Sequence, residues 1–187
     1  MKNDLGTIEI YLPPELDSSY QWISYTDFAP CGHEYRYRFI DKRYSALAET
    51  GFIYLKQPDS LYQFTIFHMQ DKNCIQNFNL NKKKLSGIIN KISDHNKAFQ
   101  KEGHLIWEEK SIKEIEGRKY LLLAYTDKSD YIMLDEMAKV LIFTKIGKEV
   151  VWLEFECNAC DCSDFTKRMR PAIETIRIDT SRIVGKN

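Results

Sequence analysis

A group of three cysteines near the C-terminus is the segment whose residue types and spacing most clearly could do chemistry. The cysteines are Cys157, Cys160 and Cys162. Two cysteines separated by two residues can share one tetrahedral zinc ion, because a turn between them brings both sulfurs to about 2.3 Å from the metal. A structural zinc site needs further ligands, and Cys31 and His33 are the available second pair. The pattern therefore indicates a zinc site built from these five residues as one interpretation.

The same cysteines have a simpler interpretation as reduced thiols in a loop between a strand and a helix. Reduced cysteine packs as a small hydrophobic residue, and a second paired-cysteine motif, which paired-cysteine zinc sites use, is missing here. No thioredoxin-like pattern surrounds Cys157 and Cys160. We therefore expect no metal and no cofactor. A lone disulfide in this loop is the alternative if the protein is exported.

No set of residues specifies a reaction. The 4 histidines are scattered, and a cysteine nucleophile would need both a histidine and a third group that orients it. The neighbouring carboxylates Glu108 and Glu109 lie where a predicted strand meets solvent, whereas acid–base pairs need burial to separate their pKa values. We therefore expect a protein without catalytic residues.

A run of alternating tyrosines and arginines is the second candidate site. Tyr35, Arg36, Tyr37 and Arg38 lie in a predicted strand within residues 21–56, a segment rich in aromatic and charged side chains. Tyrosine and arginine are enriched where proteins bind one another. This run is therefore our candidate binding surface. An ordinary exposed strand with cross-strand pairs has the same pattern, and both interpretations stand.

Composition and charge exclude several classes of function. The 187 residues carry 27 Lys+Arg and 27 Asp+Glu, whereas nucleic-acid-binding proteins usually carry a basic surplus that replaces phosphate counterions. Hydrophobic residues make up 43% of the chain, which is enough for a core and argues against disorder. Purely apolar runs such as Leu121–Ala124 are far shorter than the roughly 20 residues of a membrane span. We expect a partner that is another protein, with no nucleic acid and no membrane span.

The N-terminus and the cysteines predict a cytoplasmic location. The first six residues lack the apolar stretch of a secretory signal. An odd number of cysteines, 5, fits a reducing compartment better than a disulfide framework. If Met1 is the native start, the protein is therefore expected to stay in the cytoplasm.

The alternation of polar and apolar residues predicts strands in the N-terminal half. Residues 7–12 form the first, and Pro13 and Pro14 end it because proline cannot donate to a strand ladder. Residues 15–33 are predicted to be a loop. Three further strands are predicted at residues 35–39, 51–56 and 61–69.

Two amphipathic helices are predicted. Between Asn79 and Gly103, apolar residues recur every three or four positions, as on one stripe of a helix. Asn79 or Asn81 can cap its start, and Gly103 can end it in the left-handed conformation. A second stripe begins at Phe165, and Pro171 inside it predicts a kink or a new turn that begins there.

Two hairpins are predicted between these helices. Gly117 and Gly147 supply the positive φ that tight hairpin turns need. Strands joined by hairpins form an antiparallel sheet, and both helices must bury their stripes on it. We predict one α+β domain over residues 7–178, with about six to seven antiparallel strands flanked by two main helices, and a C-terminal tail over 179–187.

The order of these elements is similar to that of a known fold. A helix ending at Gly103 is followed by the hairpin Glu114-Ile115-Glu116-Gly117-Arg118, by a second hairpin with Gly147 at its turn, and by a strand ending at Cys157. Near the N-terminus, Ile8-x-Ile10-x-Leu12-Pro13 precedes Asp17-Ser18. This order resembles the PsbP/Mog-like fold, which is shared by the photosystem II extrinsic subunit PsbP, the Ran-binding import factor Mog and the bacterial chaperones of type VI secretion effectors.

The resemblance covers residues 7–15 and 61–178 and implies an α/β/α sandwich that binds a protein. Residues 21–56 have no counterpart in those chaperones, and no Ran-contacting acidic pattern is present, so the resemblance names no partner. We expect a non-enzymatic protein-binding module of bacterial type, such as a chaperone or adaptor of a secretion system. The alternatives are a toxin-neutralising immunity protein and a metal- or thiol-dependent protein that uses the three-cysteine group.

Overall fold

A computed structural model describes residues 2–3, 6–25, 33–42, 60–69, 79–99, 104–128, 136–147, 149–159 and 162–180. Within these ranges, seven strands form one antiparallel sheet, three short strands form a second sheet, and two helices accompany them. The predicted α+β class with an antiparallel sheet is confirmed.

The elements follow one another along the chain as two groups of strands separated by a helix. In chain order they are β1 (Lys2–Asn3), β2 (Gly6–Glu9), β3 (Ser18–Tyr25), β4 (His33–Ile40), β5 (Ser60–Met69), α1 (Lys82–Phe99), β6 (Leu105–Ile115), β7 (Arg118–Asp127), β8 (Glu136–Ile146), β9 (Glu149–Ala159), α2 (Phe165–Glu174) and β10 (Arg177–Asp179).

The main sheet joins two antiparallel meanders side by side. Its strand order is β3-β4-β5-β9-β8-β7-β6. The first meander, β3 to β5, therefore meets the second at β9, the last strand of the second. The small sheet has the order β1-β2-β10, and Ile178 pairs with Ile8 there. The two ends of the described chain are thus held together.

The two helices pack on opposite faces of the main sheet. On the first face, Phe165 and Met169 of α2 join sheet residues such as Leu122 and Phe155 in the largest core cluster. On the opposite face, α1 packs against residues that alternate with these, among them Leu123. The α1 stripe consists of Leu85, Ile88, Ile89 and Ile92. We call the α1 side of the sheet its second face.

The two predicted hairpins are confirmed. The β6–β7 turn consists of Glu116 and Gly117, with φ of 49° and 74°. Two consecutive left-handed residues give the turn whose twist matches that of the flanking strands. Gly147, between β8 and β9, also has a positive φ, 60°.

The predicted loop over residues 15–33 is wrong, because β3 occupies Ser18–Tyr25. Its serines give it a weak strand signal, and its ladder with β4, which pairs all eight of its residues, holds it in extended conformation. The predicted strand at 51–56 lies outside the described residues. The first predicted strand, 7–12, is shifted and shorter, at Gly6–Glu9.

The predicted first helix is confirmed with narrower bounds. It begins at Lys82, and the Oδ1 atom of Asn81 accepts a hydrogen bond from the backbone N–H of Lys84 at 2.9 Å, as an N-cap does. Gly103, its predicted end, lies outside the described residues. The second helix continues through Pro171 to Glu174.

The region predicted as a C-terminal tail begins inside a strand. Asp179 is the last residue of β10 and pairs with Thr7. Residues 181–187 lie outside the described ranges.

Candidate functional site

Strand geometry divides the predicted tyrosine–arginine run into two pairs. Successive side chains of a strand point to opposite faces of the sheet, so Arg36 and Arg38 lie on one face of β4, and Tyr35 and Tyr37 lie on the other. Tyr37 packs against the large core cluster on the α2 side, which places the two arginines on the second face. The four residues do not form one surface.

The two tyrosines lie next to buried residues on the α2 side of the sheet. The ring of Tyr35 lies 6.2 Å from the ring of His68. His68 is buried, with 4% exposure, and its Nε2 atom contacts a carboxylate oxygen of Glu149. His68 is therefore a buried residue whose ring makes a polar contact with a carboxylate at the edge of the core.

Arg36 stacks on two aromatic rings. Its guanidinium carbon lies 5.8 Å from the ring centre of Trp22 and 5.1 Å from that of Phe67. The strand register explains this placement, because Trp22 is paired with Arg36 across β3 and β4, and Phe67 is paired with Arg36 across β4 and β5. A cation over an aromatic face within about 6 Å is attracted by the ring quadrupole.

Arg38, two residues after Arg36 on the same face of β4, is more deeply buried than Arg36. Its guanidinium carbon lies 5.3 Å from the ring centre of Trp22, and its Nε atom donates a hydrogen bond to Thr65 Oγ1 at 2.8 Å. Arg38 is 7% exposed. Tyr20 stacks on Trp22 with ring centres 5.3 Å apart. Together these side chains form what we call the aromatic–arginine cluster: Tyr20, Trp22, Arg36, Arg38 and Phe67.

The cluster continues toward the middle of the sheet. Phe67 stacks on Trp152 with ring centres 4.3 Å apart, and Trp152 lies 5.9 Å from Phe143. The indole Nε1–H of Trp152 is buried and has no hydrogen-bond partner among the described residues. A row of aromatic rings therefore links the outer strands to the part of the sheet that packs on α1.

Beside this row lies a group of three largely buried charges, which we call the charge cluster. Lys139 Nζ lies 2.9 Å from Glu154 Oε1 and 3.0 Å from Glu156 Oε2. The three side chains are 20%, 13% and 14% exposed, respectively. Glu154 and Glu156 alternate with core residues along β9 and therefore share the second face. Lys139 is paired with Glu156 across β8 and β9.

Burial and mutual attraction move the pKa values of the charge cluster in different directions. Burial alone would lower the pKa of Lys139, but Glu156 and Glu154 outweigh it and raise that pKa above its usual value. Burial raises the pKa of Glu154 in spite of Lys139. The pKa of Glu156 is lowered, because Lys139 and a hydrogen bond from Glu154 outweigh its burial. On acidification Glu154 therefore takes up a proton before Glu156.

Sequence reasoning missed the charge cluster, although a signal was present. The apolar run Val150–Phe155 predicts a central strand. Glu154 lies inside this run, and Glu156 directly follows it. Carboxylates on one face of a central strand need a buried cation. The partner, Lys139, could not be named without knowing which strand lies beside β9. Because the ammonium group lies between both carboxylates, the cluster is internally paired.

The cysteine group holds a disulfide. Cys157 and Cys162 are bonded to one another and are 0% and 3% exposed. The backbone N–H of Cys162 also donates a hydrogen bond to Glu136 Oε2 at 2.9 Å. The expectation of three reduced thiols is therefore corrected: the end of β9 and the residues before α2 lie close enough for two of the sulfurs to bond.

The disulfide also bears on the zinc interpretation. Zinc binds thiolates, so the bonded sulfurs of Cys157 and Cys162 cannot serve as ligands. Cys31 and Cys160 lie outside the described residues, and His33 is the first residue of β4. In the described ranges, no three His, Cys, Asp or Glu side chains converge as a metal-binding group.

Neither α1 nor α2, the helices in the described part of the chain, has the length and hydrophobicity that a membrane-crossing helix requires.

Comparisons with known proteins return distant structural likenesses. No family model matches the chain, and no curated protein matches it. One similar solved structure is PA94 from Pseudomonas aeruginosa, described as a protein of unknown function and putative regulator, with 10% identity, a TM-score of 0.42, and coverage of 93% of this chain and 99% of that one. Another is LpqN, described as involved in cell envelope biogenesis of Mycobacterium tuberculosis, with 11% identity, a TM-score of 0.38, and coverage of 92% and 84%.

Proposed function

We propose that this chain is a non-enzymatic protein-binding module and that the aromatic–arginine cluster is its binding surface. The observation that carries the proposal is the stacking of Arg36 on Trp22 and Phe67, at 5.8 and 5.1 Å. Trp, Tyr and Arg are enriched among the residues whose truncation costs a protein complex the most affinity. The cluster contains all three types within one patch of sheet.

The geometry of the cluster favours binding because its side chains are already ordered. Association costs roughly 0.5–1.5 kcal/mol for each flexible side chain that it immobilises. Arg38 is fixed by Thr65, and Arg36 is stacked between two rings, so little of this cost remains. Arginine also pairs with carboxylates through two parallel hydrogen bonds. We infer that the partner presents acidic side chains next to apolar ones.

Within this protein-binding role, we propose more specifically that the chain is a chaperone or adaptor of a bacterial secretion system with the PsbP/Mog-like α/β/α sandwich. Two features support it: α1 and α2 pack on opposite faces of one antiparallel sheet, and the two glycine hairpins follow α1 in the order that the resemblance requires. Most proteins that this order resembles bind other proteins, which agrees with the role assigned to the cluster.

A matched pair of charge reversals tests the binding surface. Arg36→Glu removes the cation from Trp22 and Phe67, whereas Lys110→Glu removes a cation that lies 4.8 Å from the ring of Trp107 at the other end of the sheet. Tagged wild-type protein and both variants are recovered from the cells that naturally make the protein. Bound proteins are then quantified by mass spectrometry, and thermal unfolding checks that each variant is folded.

We expect one stoichiometric partner with the wild type and with Lys110→Glu, and its loss with folded Arg36→Glu. Trp22→Ala should give the same loss without adding charge. If the partner binds all variants equally, the surface lies elsewhere. If no stoichiometric partner is recovered with the wild type under several growth conditions, the protein-binding role itself is wrong.

A further inference from the structure

A cavity lies between α2 and the outer strand β6, on the α2 side of the main sheet. Its volume is about 320 Å³, at the lower end of the range of small-molecule sites. It is separate from the aromatic–arginine cluster, which lies on the second face and at the other end of the strand order. We propose that this cavity binds a free α-amino acid whose side chain is apolar and about the size of that of leucine.

The charged side chains that β6 contributes to the cavity lie on one face of the sheet. Across β6 and β7, Glu109 is paired with Ala124, which belongs to the core on the α2 side. Lys113, four residues after Glu109, is paired with Tyr120 of the same core. Directly opposite side chains in a sheet point to the same face, so both charged side chains lie on the α2 side. Glu114 also lines the cavity, but alternation along β6 places its side chain on the second face.

The helix α2 contributes the opposite wall of the cavity. Its lining residues recur at the three- and four-residue spacing that puts side chains on one face of a helix, and they are Thr166, Arg170, Ile173 and Glu174. Ile173 and Leu122 are buried in the large core cluster, and Ile115 packs against it. Lys113 and Arg170, by contrast, are 41% and 60% exposed. The cavity therefore has an apolar floor and a charged rim.

Glu109 and Arg170 face one another at this rim. Lys113 Nζ lies 2.6 Å from Glu109 Oε1, and Ser111 Oγ lies 2.7 Å from the same oxygen. Glu109 Oε2 lies 3.9 Å from Arg170 Nη2, which is too far for a hydrogen bond. Burial would raise the pKa of Glu109, but hydrogen bonds from Lys113 and Ser111 outweigh it and lower that pKa. An ionised carboxylate oxygen and a guanidinium group are therefore separated by a short gap.

The dimensions of an α-amino acid match this gap. Standard bond lengths place its nitrogen and the nearer oxygen of its carboxylate about 2.7 Å apart. Its ammonium group can donate to Glu109 Oε2 while its carboxylate accepts from Arg170 Nη2, each at about 2.9 Å. These three lengths close a trapezoid on the 3.9 Å that separates the two protein atoms. The side chain of the ligand can then extend to the apolar floor.

The charges of the lining favour a zwitterion over a simple acid or amine. The rim has two cations, Lys113 and Arg170. The lining has two carboxylates on the same walls, Glu109 and Glu174. A simple carboxylate bound to Arg170 would lie beside the Glu109 carboxylate, and a simple amine bound to Glu109 would lie beside the Arg170 guanidinium. Like charges repel at such distances, whereas a zwitterion meets an opposite charge at each end.

Isothermal titration with L-leucine tests the proposal, and three analogues test its parts. We expect a Kd below about 1 mM for L-leucine. The analogue 4-methylpentanoate lacks the ammonium group, and 3-methylbutylamine lacks the carboxylate, so each should bind at least about tenfold more weakly. L-Alanine keeps both charges but loses most of the apolar side chain, and it should also bind at least about tenfold more weakly.

Variants of the two bridging residues locate the site. Glu109→Gln and Arg170→Gln should each weaken the binding of L-leucine more than about tenfold. The matched control is Arg168→Gln, which should leave the Kd unchanged, because Arg168 lies on the same helix but pairs with Glu15 and does not line the cavity. Thermal unfolding checks that each variant is folded.

Three results would overturn the site. They are no binding of L-leucine up to about 10 mM, equal affinity for 4-methylpentanoate or 3-methylbutylamine, and equal affinity in Arg168→Gln and in either bridging variant. The titration measures the binding of a small molecule directly, so none of these results depends on a protein partner of the aromatic–arginine cluster.

Discussion

The second face of the main sheet has two halves that differ in chemistry although they belong to one continuous ladder. In the half formed by β6, β7 and β8, leucines such as Leu121, Leu123 and Leu141 pack against the apolar stripe of α1. In the half formed by β3, β4 and β5, the corresponding rows carry Trp22, Arg36 and other members of the aromatic–arginine cluster. The charge cluster lies between them on β8 and β9.

Under the proposed function, this difference would separate stability from recognition within one sheet. Burying a leucine stabilises a fold by about 1.5–3 kcal/mol, whereas a cation stacked on a ring contributes about 0.5–2 kcal/mol. We therefore expect the α1 half to supply the larger share of the stability of this face. We expect the outer half to contribute less to folding, and its guanidinium groups and rings form the binding surface that we propose.

The largest effect is expected at the boundary between the halves. Lys139→Met leaves Glu154 and Glu156 buried without their cation, and breaking such a buried group costs about 3–5 kcal/mol. Urea unfolding at pH 7 measures the loss. The control is Lys113→Met, which removes a more exposed ion pair with Glu109, 2.6 Å long, and should cost less than about 1 kcal/mol. Equal losses would show that the charge cluster is not buried in solution.

One truncation in each half compares how much the two halves contribute to the free energy of unfolding. Leu123 is 0% exposed, so Leu123→Ala should cost about 3 kcal/mol through lost burial and the cavity left behind. Trp22 is only half-buried, and Trp22→Ala should cost about 1 kcal/mol. Chemical unfolding of both variants gives the two values. A loss for Trp22→Ala as large as that for Leu123→Ala would mean that the outer half is part of the core, against its assignment as a binding surface.

The two carboxyls of the charge cluster should respond to pH in opposite ways. Folding lowers the pKa of Glu156, so its stabilisation is present above the unfolded-state pKa of about 4.3 and is lost as the pH falls. Glu156→Gln should therefore cost about 1.5–3 kcal/mol at pH 7 and less near pH 3.

Folding raises the pKa of Glu154, so its ionisation opposes folding above about pH 4.3. Glu154→Gln should be at least as stable as the wild type at pH 7, and any advantage should disappear as the pH falls. Unfolding series across pH for both variants measure these trends. Parallel curves for the two variants would refute the inequivalence of the carboxyls.

The smallest loss of stability is expected at the N-cap of α1, the helix that packs on the half formed by β6, β7 and β8. Asn81→Ala removes the acceptor of the Lys84 N–H and should cost about 1 kcal/mol, expressed as faster amide exchange in the first turn of α1. Asn81→Asp keeps a capping oxygen and should restore stability. Asn90→Ala, on the exposed side of the same helix, is the matched control and should not destabilise. Similar exchange in both alanine variants would contradict the cap.

Short-range patterns in the sequence predict a large part of this fold. The stripe that includes Leu85 and Ile92 predicts α1, and Gly117 and Gly147 predict both hairpins, because helix periodicity and turn conformation depend on residues within a few positions of one another. The strand β3 escapes prediction because Ser18, Ser19 and Ser24 weaken its alternation. Its extended conformation comes from the ladder with β4, which local patterns do not contain.

The candidate site, like the fold, combines features that local sequence patterns predict with features that only the pairing of distant strands decides. The sequence shows Tyr35 to Arg38 as a run of alternating tyrosines and arginines, but only their place in strand β4 shows that the arginines and the tyrosines lie on different faces of the sheet. The Cys157–Cys162 bond is only one of the pairings that the three cysteines allow, and the approach of the β9 end to the residues before α2 selects it. Lys139 is absent from any local pattern because its partners lie on the adjacent strand.

By itself, the sequence determined the α+β class, the first helix, the two hairpins and the presence of an aromatic and basic strand, since each depends on neighbours in the chain. Only the tertiary structure decided that β5 lies beside β9 although α1 and three strands intervene. That pairing brings Phe67 to Trp152 and places Glu154 next to Thr65. The physical reason is that backbone hydrogen bonds between strands are alike in any register, and the burial of whole faces selects one arrangement.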